Sequence, residues 1–222
     1  MAKSEKMIVS PRITLIGGIF AVVAMIVWLS ATLGGVLLYT VSPLRPLHVS
    51  WLPVLFNVIP VVNTGYSMFY MFVSELGIGP TAFMVNVGWM ITGVLAVPVF
   101  PALWRLLRGA IAKIGVVLGA IGFISLIGIG YHPMVVSPLH SVFGMISFVG
   151  TGIAVFLVSY VMLKGTFFSK AIVVTGFAYA AVDLIFLVTR LTIFEWGVFF
   201  IGGLWVLAVG IQMILKRNVT EV

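Results

Sequence analysis

Five carboxylates and three histidines occur in 222 residues, so the few side chains able to do acid–base or ligating chemistry are easy to follow. Glu75, in YMFVSELGIGP, stands between two apolar runs. Asp183, in AYAAVDLIFLVTR, follows Tyr179 by four residues and precedes Arg190 by seven, which puts all three on one helix face. A charged carboxylate at the centre of a bilayer costs about 3 kcal/mol on insertion scales, and such residues generally face a protein interior and mark a site. Seven residues of helix rise about 10 Å, so Asp183 and Arg190 meet only by reaching toward each other or through water. The plainer role for Asp183 is a hydrogen-bonded carboxyl that fixes helix packing. Glu75 has two readings as well. It is a cap residue ahead of a helix that starts near Pro80, where the macrodipole favours an acid, or it is a partner for Arg45, Arg190 or a histidine in a polar pocket.

His132 and His140 bracket YHPMVVSPLH. Neutral imidazole ligates metals and haem. Haem, however, needs ligands on opposite faces of its ring, a metal needs three or four converging groups, and neither H-x-x-x-H nor H-E-x-x-H spacing is present. The expectation is hydrogen-bonding histidines and no cofactor. No lysine falls inside an apolar run, which argues against a retinal-type Schiff base. The chain has no G-x-S-x-G elbow, Walker loop or strand-borne G-x-G-x-x-G. Cysteine is absent, which removes disulfides, thiolate nucleophiles and thiolate metal sites.

The elements that must position these groups follow from composition. The chain is 62% hydrophobic and 8% charged, with a mean hydropathy of +1.29. A soluble domain carries roughly a quarter of its residues charged, so most of this surface must meet lipid. Six apolar segments of spanning length, 13–41, 80–104, 114–131, 140–163, 171–194 and 197–215, predict an all-α, six-helix membrane bundle in a single domain, because a lipid-exposed backbone has to satisfy its own hydrogen bonds. The first run is too long for a signal peptide.

Ten of the twelve basic residues flank the spans on one side, and only Arg45 and Arg190 fall toward the other. The positive-inside rule then predicts cytoplasmic N and C termini in the cell membrane. It also accounts for the net charge of +7 without a nucleic-acid partner. The long connection 42–79 carries prolines at 43, 46, 53 and 60, with Trp51, Tyr66 and Tyr70 suited to headgroup level. It predicts an outer cap with a short helix over 63–75. Small residues such as Gly115, Gly119 and Gly122 in the third span, and Gly144, Ser147 and Gly150 in the fourth, predict close helix packing.

With the cytoplasmic charges set aside, Arg45, His48, Glu75, His132, His140, Arg190 and Glu195 gather toward the outer half. Asn86 lies about two turns inside the second span and Asp183 near the middle of the fifth. YSMFYMFVSELGIGPTAFMVNVGWMITGVL resembles the outer helix and second span of a prokaryotic membrane family catalogued as domain of unknown function nine-nine-eight. The matching residues are Ser74, Glu75, Leu76, Gly77, Pro80 and Asn86, with His140 opening the fourth span and Glu195 as the acid before the last. Two details depart from that pattern: GYHPMVVSP lacks the acids usual before the His, and Trp196 stands where Arg often follows the last acid. The resemblance implies a six-span bundle and supplies no activity.

The expected site is a polar pocket near the outer leaflet, formed by Ser74, Glu75, Asn86, His140, Asp183, Arg190 and Glu195. Its expected occupant is a small ligand or lipid headgroup, in a transporter-like or accessory protein. The alternatives are an outer-leaflet enzyme, with Glu75 or Asp183 as general acid–base and His140 as partner, and a structural subunit whose glycine faces serve other membrane proteins.

Overall fold

The computed structural model describes residues 10–39, 66, 68–69, 71–134 and 137–218. Long apolar runs leave the backbone no hydrogen-bonding option in lipid except the helix. The elements are α1 (Pro11–Leu38), α2 (Ala82–Ala96), α3 (Val99–Leu106), α4 (Gly109–Tyr131), α5 (Leu139–Lys164), α6 (Lys170–Thr189) and α7 (Thr192–Leu215), with a 3-10 turn over Val73–Gly77. No strand occurs among the described residues. Six helices are long and apolar enough to cross a membrane, α2 and α3 counting together as Ala82–Leu106. The chain is a multi-pass membrane protein.

Two boundaries differ from the hydropathy reading. The second span is broken at Val97–Pro98, where proline lacks the N–H that would continue the ladder and its ring crowds the preceding turn. The fifth and sixth spans divide at Arg190–Leu191 rather than near residue 195. Arg190 ends α6 in the left-handed region at φ 56°, and α7 begins at Thr192. No glycine or proline marks that turn, and Leu191, Ile193 and Phe194 carry the apolar run across it. Glu195 therefore lies in the first turn of α7, not in a loop.

The spans form a ring. α1 packs chiefly on α2 and α7, α2 on α4, α4 on α5, α5 on α6, and α6 on α7, while α3 leans on α1 and α4. A glycine tightens every seam. A Cβ on Gly18 would stand 2.7 Å from the Gly210 carbonyl, one on Gly122 2.6 Å from Thr151, and one on Gly202 2.6 Å from the Tyr179 ring. Likewise Gly88 meets Ala31, Gly130 meets the Asn86 backbone and Gly152 meets Asp183. Lipid tails are as apolar as leucine, so helices associate in a bilayer through close dispersion contact, which small residues permit.

Because consecutive spans alternate direction, Arg12, Arg105, Arg108, Lys113, Lys164, Lys170, Lys216 and Arg217 fall at or near one end of the ring. The 3-10 turn, the α4–α5 connection and the α6–α7 turn are at the other, with Arg190. Of the expected cap, 42–65, Ser67 and Tyr70 lie outside the described residues, and with them Arg45 and His48.

Candidate functional site

The segment from Tyr66 to Gly77 is tied to the first turns of α7 and α2 by side chains that grip its backbone. Thr192 Oγ1 donates to the Phe69 carbonyl at 2.6 Å, Trp196 Nε1 to the Met71 carbonyl at 3.3 Å, and Val73 N–H to Glu195 Oε2 at 2.7 Å. From α2, Asn86 Nδ2 donates to the Gly77 carbonyl at 2.8 Å, and Thr81 Oγ1 to that of Leu76 at 3.2 Å. Glu75 folds back on its own turn and accepts the Phe72 N–H at 2.9 Å. The Tyr66 hydroxyl donates to the paired Met71 and Phe72 carbonyls. Burial, with the Glu195 and Glu75 carboxylates nearby, pushes the Tyr66 phenol up, so it remains a donor.

Beneath this segment the ring surrounds a partly open cavity of about 560 Å³, and all six spans supply wall. Phe72, Val73 and Ser74 close its upper end, where His140, Ser141, Arg190 and Glu195 also lie. Further in, Ser147, Thr151 and Tyr179 share the wall with aromatic side chains that include Trp28, Trp89, Phe123, Phe199 and Trp205. On α7 the wall runs from Glu195 to Val206, about 17 Å of helix, which is past the midpoint of a 30 Å hydrocarbon layer.

Several polar wall groups are already held. Thr151 Oγ1 and Tyr179 Oη lie 2.7 Å apart and link α5 to α6. His140 Nδ1 sits 2.8 Å from the His132 carbonyl, so that nitrogen carries a proton. His132 itself caps α4, and its ring stacks on Phe143 at 5.7 Å. Ser74 Oγ contacts Met134 Sδ at 3.4 Å.

Of the residues expected to share a pocket, Ser74, His140, Arg190 and Glu195 are on this wall. Glu75, Asn86 and Asp183 are not: Glu75 and Asn86 hold the 3-10 turn, and Asp183, 1% exposed, presses on Gly152 in the α5–α6 seam. The two acids singled out as acid–base partners of His140 thus both lie off the cavity wall. Asp183 Oδ1 is buried without a hydrogen-bond partner among the described residues. Among those residues no three His, Asp or Glu side chains are grouped as metal ligands.

Sequence reasoning missed the aromatic wall. Trp28, Phe148, Phe199 and Trp205 carry no signal that separates facing a cavity from facing lipid. Gly144, open on its cavity side, was legible only as a small packing residue.

A family model described as "Protein of unknown function (DUF998)" matches residues 47–212. No curated protein and no solved structure matches the chain.

Proposed function

The chain belongs to this family of proteins of unknown function, and from that premise we propose that it is a membrane-embedded binding protein, transporter-like or accessory, whose cavity takes up an amphipathic small molecule or lipid. One observation carries the reading: six helices surround a space of about 560 Å³ whose charged groups, Arg190 and Glu195, sit at the end near the 3-10 turn and whose remaining wall is mostly aromatic and aliphatic with a few hydroxyls. Small-molecule sites run to roughly 300–1,000 Å³ with apolar walls and a few placed polar groups. A wholly polar ligand would leave its hydrogen bonds unmet in the aromatic part, and a wholly apolar one would strip water from Arg190 and Glu195 without replacing it. A molecule polar at one end matches both. In this proposal the distribution of Lys and Arg supports placing the cavity end at the outer face of the cell membrane, with both termini inside.

Gly144 provides the test. A Cβ there meets nothing within 4 Å, although the residue is on the cavity wall, so the side chain of Gly144→Leu starts into open space and takes up part of it. Native mass spectrometry of protein purified in mild detergent is expected to find a retained lipid or small molecule on the wild type and little on Gly144→Leu. An identical bound complement on both proteins contradicts the reading.

A further inference from the structure

The α5–α6 seam changes character along its length. Deep in the bundle it is closed by backbone-level contact, with Gly152 against Asp183, Gly176 against Ser159, and the Thr151–Tyr179 hydroxyl pair across it. Toward the cavity end long side chains bridge it. Phe148 meets Phe186 with ring centroids 4.8 Å apart, and Arg190 Nη2 reaches Met145 Sδ at 3.1 Å. Ser141 and Met145 belong to the cavity wall and are exposed, and Met145, at 42%, shares its face of α5 with Val142 and Val149, which are exposed as well. The cavity wall therefore reaches the lipid-facing surface between these two helices. Met145 and Arg190 lie across that gap, and both are flexible enough to swing aside without any backbone shift.

Arg190 is also the one Lys or Arg on the wall among the described residues. Its direct contacts are a thioether, which is a weak acceptor, and the Phe186 ring 5.7 Å away, while the Asp183 and Glu195 carboxyls act on it only through space. No carboxylate among the described residues forms an ion pair with it. Glu195 faces the same space, but its Oε2 takes the Val73 N–H. A guanidinium at the end of a span sits at headgroup depth, and its fork of donors matches phosphate oxygens.

Resting on the binding reading above, we propose that the upper α5–α6 seam is a lateral entrance for lipids with an anionic, phosphate-bearing headgroup. Arg190 exchanges the Met145 thioether for the phosphate, and the tail lies in the aromatic cavity. Phosphate could also arrive from water as a soluble ester; the exposure of Met145 on the lipid-facing side of α5 favours the bilayer as its source.

The full chain in nanodiscs with equal phosphatidylglycerol and phosphatidylcholine, released and weighed by native mass spectrometry, tests this. Wild type is expected to retain the anionic lipid by on the order of tenfold over the zwitterionic one, the scale of one charge-assisted bond. Arg190→Gln should bring that ratio close to one, Arg190→Lys should keep most of it, and soluble glycerol phosphate should not compete. Thermal midpoints within a few degrees of wild type establish that the variants are folded. Equal retention of both lipids by wild type, or an unchanged ratio in Arg190→Gln, overturns the headgroup assignment. Competition by glycerol phosphate overturns the lipid source. Retention untouched by Gly144→Leu refutes the binding reading itself, so the two failures are told apart.

Discussion

Glu75 and Glu195 look alike in the sequence, each a lone acid beside an apolar run, and they do different work. Glu75 satisfies its own turn, whereas Glu195 reaches across 122 positions to the Val73 amide and stands on the cavity wall. Replacing Glu195 with leucine leaves a buried N–H without an acceptor, which costs about 1–3 kcal/mol, whereas glutamine keeps an oxygen for it. Thermal unfolding in detergent should therefore show a lowered midpoint for Glu195→Leu and a small change for Glu195→Gln. Equal losses for both would mean that the Val73 bond is not what Glu195 supplies. Asn86 illustrates the limit of residue-level reading: an amide inside an apolar span invites a ligand role, but its Nδ2 is engaged by the Gly77 carbonyl.

Among the elements, the spans were readable because hydrocarbon permits helix and little else. The break at Pro98 has a plain covalent cause. The α6–α7 turn was not readable, since Arg190 adopts its left-handed conformation without the glycine that usually announces one. The small residues were legible as packing positions, but not which of them face a partner. Gly152→Ala drives a methyl into Asp183, whereas Gly144→Ala enters open space. Overpacking of this kind costs typically 1–3 kcal/mol. The expected result is a clear fall in thermal midpoint for Gly152→Ala and almost none for Gly144→Ala, read on purified protein. Equal effects would contradict the seam geometry.

For the whole molecule, the account rests on closure. α7 returns to α1, so six spans, none able to bury itself alone, surround a partly open space that all of them line. No pattern in the chain announces that closure, because a Trp or Phe pointing inward has the same neighbours in sequence as one pointing to lipid. Four of the expected site residues reach the space because they cluster at helix ends, where the few polar groups were legible; the wall they stand on was not. The most direct test uses the natural absence of cysteine. Gly144→Cys places one thiol on the cavity wall, and Val188→Cys places one on the outer surface of α6, 76% exposed. Labelling with a small apolar maleimide is followed while phosphatidylglycerol is added to delipidated protein. The account predicts a several-fold slower reaction at Gly144→Cys and an unchanged rate at Val188→Cys; an unprotected thiol at position 144 would contradict it.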